Sequence, residues 1–357
     1  MPLEEPSWWY GNQTSDWRAN ALEPVAGIYG WAAERRFKKT QPFRSELPVI
    51  CVGNFTAGGT GKTPMSLLLA ELLTQLGERP AFLSRGYAGR IAGPEWVDPH
   101  RHSAIDVGDE PLLLASSAPT MICRDRPAGA RAILTREPRP TVIIMDDGLQ
   151  NPSLEKDLRL AIVDGARGIG NGRVIPAGPL RAPLQFQYAM TDAVIVNGSQ
   201  PPHDDDRQSN TGTGVLDRLR HRFLGPVLVA EPEPAGDISW LADTPVIAFA
   251  GIANPHRFFS LLERLGATVL AKLAYRDHHT FTDSEAEKLL AQAKASGAQL
   301  VTTEKDLVRM TPEGNSAIAR LRQSARPLPI RLQFKENDLS RMRALLEAVI
   351  ADSKLPA

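Results

Sequence analysis

Gly53-Asn-Phe-Thr-Ala-Gly-Gly-Thr-Gly-Lys-Thr63 lies between the apolar run Leu47-Pro-Val-Ile-Cys-Val52 and the apolar segment Pro64-Met-Ser-Leu-Leu-Leu-Ala-Glu-Leu-Leu73. A buried strand, a glycine-rich loop and an apolar helix in this order predict a phosphate cradle. Loop N–H groups and the positive end of the helix dipole then face phosphate oxygens. The spacing differs from the common form, which has a glycine five residues before the Gly of Gly-Lys-Thr; here that position is Thr56, and Gly53 comes three residues too early. A longer loop is expected. Its nucleotide-binding residues are Thr56, Ala57, Gly58, Gly59, Thr60, Gly61, Lys62 and Thr63. Lys62 would reach the β- and γ-phosphates, and the Thr63 hydroxyl would hold Mg²⁺.

Around that loop, strands and helices alternate. Residues 79–84, 120–123, 141–145, 158–163 and 193–196 read as strands, and 127–135 as a helix. Several of these strands are apolar throughout, as expected when helices cover both faces of a parallel sheet. The pattern predicts a doubly wound α/β sheet of the P-loop NTPase type. Residues 198–214 have a loop composition and mark a transition. The reading is therefore a nucleotide domain over 1–221 and a smaller α/β domain with connecting strand(s) over 222–357. A length of 357 residues allows two domains.

Lys+Arg and Asp+Glu are both 41, so overall charge makes no case for nucleic acid. The two cysteines cannot build a disulfide framework, and both read as reduced cytosolic thiols. No apolar stretch approaches the ~20 residues of a membrane span, and the acidic start does not read as a signal peptide. The N-terminus is nevertheless rich in tryptophan: Trp8, Trp9, Trp17 and Trp31. Leu22, Val25, Ile28, Tyr29 and Ala32 follow helical spacing, and Arg35, Arg36, Lys38, Lys39 and Arg44 come next. Such a helix suits either a bilayer interface or a seat on its own domain. The tryptophan bias favours membrane contact.

Asp146-Asp147 close the strand ending at Met145, the place where P-loop proteins keep a magnesium-binding Asp. One acid could serve the metal and the other a basic neighbour. Asp109-Glu110 stand at a predicted helix start, where the dipole favours acids. Asp277-His278-His279 read either as a surface turn or as a carboxylate–imidazole pair able to take a hydroxyl proton. Arg85, Arg124, Arg126, Arg167, Arg173 and Arg181 fall in loops near strand ends and, as a set, suit a substrate carrying its own phosphate.

With those motifs in hand, the chain resembles the tetraacyldisaccharide 4′-kinases of lipid A synthesis over nearly its whole length. The resemblance rests on residues 53–64, Ser84-Arg-Gly-Tyr87, Gly108-Asp-Glu-Pro111, Asp146-Asp-Gly-Leu-Gln150, Pro176-Ala-Gly-Pro-Leu-Arg181, Phe249-Ala-Gly-Ile252, Asp277-His278 and Thr303-Glu-Lys-Asp306. The unusual glycine spacing is that family's form; Asn151 departs from a His found in a common variant. The resemblance implies transfer of the ATP γ-phosphate to the 4′-hydroxyl of a tetraacylated glucosamine disaccharide 1-phosphate. It implies ATP and Mg²⁺ as cofactors, with Thr63, Asp146 and Asp147 around the metal. It makes Asp109 the general base assisted by His278, with Lys62 on the phosphates. Arg85, Tyr87, Glu110, Arg126, Gln150 and Arg181 would face the substrate. The lipid acceptor sits in a membrane, so the resemblance also implies a peripheral protein on the cytoplasmic face of a Gram-negative-type inner membrane, touching the bilayer interface through its N-terminal helix.

Other classes fit less well. A GTPase switch needs Asn/Thr-Lys-x-Asp, and Lys305 and Asp306 are adjacent. An ATP-dependent metallochaperone or membrane-site ATPase would favour Cys or His pairs, and the two cysteines, Cys51 and Cys123, are far apart in the chain.

Overall fold

The computed structural model describes residues 5–10, 16–198, 214–310 and 316–353. In chain order the strands are β1 (Val49–Asn54), β2 (Pro80–Ser84), β3 (Glu95–Trp96), β4 (Thr120–Ile122), β5 (Val142–Asp146), β6 (Leu158–Asp164), β7 (Ala193–Asn197), β8 (Val227–Pro234), β9 (Pro245–Ala250), β10 (Thr268–Ala274), β11 (Gln299–Thr303), β12 (Ala325–Leu328) and β13 (Ile330–Phe334). Among the described residues they form a nine-stranded sheet, β13-β8-β7-β6-β1-β5-β2-β4-β3, and a four-stranded one, β10-β9-β11-β12. The small sheet is parallel throughout. The large one is parallel except at its two ends, where β3 and β13 run antiparallel.

Successive side chains of a strand point to opposite faces, and β1 divides accordingly. Ile50 and Val52 join Leu69 and Leu73 of the Lys62–Gln75 helix in one core, while Val49 and Cys51 join Leu83, Ile133 and Ile143 in the other. Each strand of the centre is thus buried on both sides, which is why its sequence is apolar without alternation. β1 lies between β5 and β6, with Val52 opposite Asp146 and Asn54 opposite Ile162. This is where the sheet's winding reverses, and the crevice at its carboxyl end is the expected ligand site of such a fold.

The expected division of the chain differs in one respect from the observed sheets. β8 and β13, both within 222–357, belong to the nine-stranded sheet. The closing helix Glu336–Ser353 buries Met342, Leu346 and Val349 in the same core as Leu69 and Leu73. The chain leaves the first sheet after β8, builds the second, and returns. Apolar patterning marks a segment as a strand but does not name its partner, so the return was not legible. Nearly all of the predicted 198–214 loop lies outside the described residues; Val215–Arg222, just after it, is a helix.

Candidate active site

The phosphate loop leaves β1 after Asn54 and enters its helix at Lys62. Gly58 (φ +89°) and Gly61 (φ +95°) take backbone conformations that L side chains rarely adopt. The loop is long, and neighbouring segments hold its backbone. Ala57 N–H donates to Pro179 O (2.8 Å) and Arg181 N–H to Phe55 O (2.9 Å). Arg181 Nε donates to Thr56 O (3.0 Å) and Gln150 Nε2 to Asn54 O (2.7 Å). The motifs ending at Gln150 and Arg181 therefore brace the loop as well as reaching the cleft.

A cleft of about 1100 Å³ opens at this end of the sheet. Its lining includes Gly58, Gly59, Lys62, Asp146, Asp147 and His278, together with Arg85, Tyr87, Glu110, Arg126, Gln150 and Arg181. Those six come from separate segments between residues 85 and 181, and the fold brings them to one cavity. Thr60, Gly61 and Thr63 face an adjoining space of about 260 Å³, more apolar, between the two sheets. Of the arginine set, Arg124 and Arg167 also reach the main cleft. Arg167 pairs with Glu5 at 3.1 Å. Arg173 does not join them; it pairs with Glu23 (3.1 Å) on the N-terminal helix Trp17–Lys39.

Asp146 and Asp147 are electrostatically unlike. Asp147 lies 3.7 Å from Lys62 Nζ and 3.4 Å from Arg181 Nη1. Burial opposes its ionisation, but Lys62, Arg181 and Arg126 outweigh burial and hold its carboxyl at about 2. Asp146 is almost wholly buried, and its Oδ1 accepts from Ser66 Oγ at 3.0 Å. Its Oδ2 has no hydrogen-bond partner among the described residues. Burial, then the charges of Glu110 and Asp147, push it up to about 7. A buried carboxylate with an orphaned oxygen and too little positive charge nearby fits a divalent cation. The buried Thr63 at the helix start supplies a hydroxyl of the kind such a cation takes in phosphate loops. Among the described residues no three His, Cys, Asp or Glu cluster as a free-standing metal site. A magnesium ion carried by nucleotide phosphates needs only one or two carboxylates from the protein.

Asp109 is the first residue of the helix Asp109–Ala115 and is buried. Its Oδ1 accepts from the Glu110 N–H (2.9 Å), and its Oδ2 lies 3.0 Å from His278 Nδ1. An ionised carboxylate only accepts, so Nδ1 carries the proton in this pair. Burial works against the charge. The His278 hydrogen bond, Lys305 and Arg309 overcome it and hold the Asp109 carboxyl well below the usual range. His278 follows β10 in the small sheet, so the pair joins residues from the two sheets. The neighbouring His279 bonds instead to Glu285 (3.1 Å) and stacks on Tyr275, a packing role.

Sequence reasoning missed part of this junction. Lys305 pairs with Glu110 at 2.8 Å, and Arg309 reaches Asp109 at 2.5 Å. Thr303-Glu-Lys-Asp306 counted as a family motif and excluded guanine recognition, but no site role was given to Lys305; Arg309, one helical turn beyond Lys305, carried no signal of its own. Asn197, at the end of β7, was also unmarked, because it follows an ordinary apolar strand.

Residues 18–350 match the family described as Tetraacyldisaccharide-1-P 4′-kinase (LpxK). The chain is 43% identical over 353 residues to the Tetraacyldisaccharide 4′-kinase of Bradyrhizobium sp. (strain BTAi1), covering 99% of this chain and 97% of that one. It is 45% identical over 349 residues to the protein of the same name from Methylobacterium nodulans, covering 97% and 96%. In fold it is similar to "apo" form LpxK from Aquifex aeolicus in complex with ATP, with a TM-score of 0.69 and 24% identity over 93% of this chain and 99% of that one. On the strength of a match that spans both sheets, the chain belongs to the tetraacyldisaccharide 4′-kinase family.

Proposed function

We propose that the cleft transfers the γ-phosphoryl group of ATP to the 4′-hydroxyl of a tetraacylated glucosamine disaccharide 1-phosphate, releasing ADP. The observation that carries this reading is the meeting of the phosphate loop and His278 in one cleft, with the buried Asp109 hydrogen-bonded to that His278, in a chain of this family. Phosphoryl transfer depends on positioning and charge neutralisation. Lys62 and the loop amides would hold the β- and γ-phosphates. Thr63 and Asp146 would hold Mg²⁺, which supplies positive charge between the phosphates when bound. Asp147, already paired with Lys62 and Arg181, would orient Lys62 rather than ligate the metal.

Asp109 would accept the sugar hydroxyl proton. A carboxylate held so far below its usual range is a weak base for an alcohol. The transition state of phosphoryl transfer is loose, and the hydroxyl becomes acidic only as its oxygen bonds to phosphorus. A weak base in the right place then suffices, and His278 steadies its charge. Arg85, Tyr87, Arg126 and Arg181 would face the acceptor and its 1-phosphate. Tyr87 is 56% exposed, and its ring lies 5.5 Å from that of His278.

The acyl chains of the acceptor would remain in the bilayer. The N-terminal helix supports that arrangement by an inverted pattern: it buries Ala19, Ala26 and Gly30 against the protein and exposes Trp17 (72%), Ile28 (68%), Trp31 (59%) and Val25 (53%). Large apolar side chains facing outward, followed by Arg35, Arg36, Lys38 and Lys39, fit a helix lying in a lipid interface. No described helix is long and apolar enough to cross a membrane. Peripheral attachment at the cytoplasmic face of the inner membrane is the matching location.

The test is phosphorylation of the purified lipid disaccharide by purified protein with γ-labelled ATP, in parent and Lys62→Ala forms. Label in the lipid from the parent, reduced by orders of magnitude in the variant, is expected. Label released only as inorganic phosphate, with none in the lipid, would leave an ATPase and overturn the kinase reading.

A further inference from the structure

Arg309 ends the short helix Glu304–Arg309 of the smaller sheet, yet its side chain is only 6% exposed and its guanidinium faces the other sheet's catalytic candidate. Its donors are divided between the two. On its own side, Nη1 donates to Gly251 O (2.5 Å) and to Asp306 Oδ1 (3.0 Å). Asp306 is wholly buried and fixed in turn, accepting from Gly251 N–H (3.0 Å) through Oδ1 and from Thr303 Oγ1 (2.6 Å) through Oδ2. The planar fork therefore has a set orientation before it meets anything else. Its other edge points across the domain junction, with Nε 2.7 Å and Nη2 2.5 Å from Asp109 Oδ2.

The two carboxylate oxygens of Asp109 are left in different states. Oδ2 takes His278 Nδ1, Arg309 Nε and Arg309 Nη2. Among the described residues, Oδ1 takes only the Glu110 N–H. An ionised carboxylate has about four acceptor sites in all, so Oδ2 is saturated and Oδ1 keeps room for one more donor. On this count Oδ1 is the oxygen with acceptor capacity left among the described residues. Both groups that saturate Oδ2 come from the smaller domain, on two different segments.

We propose that Arg309 is a positioning residue for phosphoryl transfer: anchored by Asp306 and Gly251, it fixes the Asp109 carboxylate so that Oδ1 is presented to the acceptor hydroxyl, and it does so only when the two domains are together. The inference rests on the reading of Asp109 as the proton acceptor. It makes the domain junction part of the catalytic geometry, and it assigns to Arg309 an effect on kcat that passes wholly through Asp109.

The experiment compares Arg309→Gln and Arg309→Lys in parent and Asp109→Asn backgrounds. kcat and KM for lipid phosphorylation are measured, with ATP binding and thermal stability measured separately. Arg309→Gln should lower kcat on the order of 100-fold, the effect of a misplaced reacting group, with ATP affinity within about three-fold of the parent. Arg309→Lys, which keeps the cation but not the fork, should fall between the two. In the Asp109→Asn background Arg309→Gln should cost less than about two-fold further. A kcat for Arg309→Gln within about three-fold of the parent, or equal fold-losses in both backgrounds, overturns the proposal. Should the Gln variant fail to fold, Arg309→Met, which keeps the aliphatic stem, is read by the same criteria. An Asp109→Asn protein with parental activity would instead remove the base reading itself. An inactive Asp109→Asn beside a normal Arg309→Gln removes only the role of Arg309.

Discussion

Asn197, at the end of β7, donates through Nδ2 to the carbonyl oxygen of Thr60 over 2.8 Å, a buried hydrogen bond between the sheet and the phosphate loop. The Oδ1 of the same side chain accepts from Arg257 Nη2 (2.9 Å), which comes from the helix Pro255–Arg264 of the smaller sheet. One asparagine thus ties the loop to both parts of the molecule. Asn197→Ala would leave the Thr60 carbonyl without its partner, at about 1–3 kcal/mol for a buried acceptor. ATP affinity should fall roughly ten-fold by calorimetry. An unchanged dissociation constant would mean that the loop holds its shape without this bond.

Gly61 is where the same contact is tightest. A Cβ there would lie 2.1 Å from Asn197 Nδ2, on a residue with φ +95°. Gly61→Ala should abolish measurable ATP binding in a protein that still folds. Gly77→Ala is the control, because Gly77 has φ +84° but nothing within 4 Å. It carries only the strain of a left-handed residue, about 1–2 kcal/mol, and should bind ATP normally. Equal binding defects in the two would assign the effect to strain at large rather than to the loop.

Asp109 and His278 share one hydrogen bond across the junction, so their removal should not be additive. Asp109→Ala and His278→Ala should each lower kcat strongly, with ATP affinity within about a few-fold of the parent. The double variant should be little worse than the poorer single one. Fully additive losses would separate the two residues. Loss of ATP binding in the Asp109 variant would move that residue toward the metal.

The same carboxylate shapes the acid limb of stability. Its pKa is depressed in the folded protein, so its contribution is present above the unfolded value near ~3.9 and is lost as pH falls below it. Urea unfolding of the parent should therefore weaken more between about pH 5 and pH 3 than that of Asp109→Asn, which has no proton to take up there. Parallel curves over that window would show that Asp109 titrates alike folded and unfolded.

The outward face of the N-terminal helix can be altered without touching the core. Replacing Trp17, Ile28 and Trp31 by Ser should leave the melting temperature nearly unchanged, because all three are exposed. Sedimentation with anionic lipid vesicles should weaken at least about ten-fold. A variant that unfolds would instead give these side chains a place in the fold, and unaltered sedimentation would exclude this face from lipid binding.

The sequence by itself determined what consecutive residues can state. A buried strand, a glycine loop and a helix start dictate a phosphate cradle locally, and unbroken apolar strands dictate a sheet covered on both faces. Asp146 and Asp147 were legible because they end such a strand. The family motifs named Asp109 and His278, but periodicity alone left Asp109 as an acid at a helix start. Tertiary structure decided what joins them. Asp109 meets His278 and Arg309 across separations of 169 and 200 residues, and β8 and β13 find places in a sheet whose other strands end at β7. The outward turn of the tryptophan-bearing helix also belongs here, since helical spacing allows either face to meet the protein. Local patterns record the steric and hydrogen-bonding needs of neighbours in the chain. Which distant segments meet depends on how whole sheets and helices pack, and no short stretch of sequence contains that.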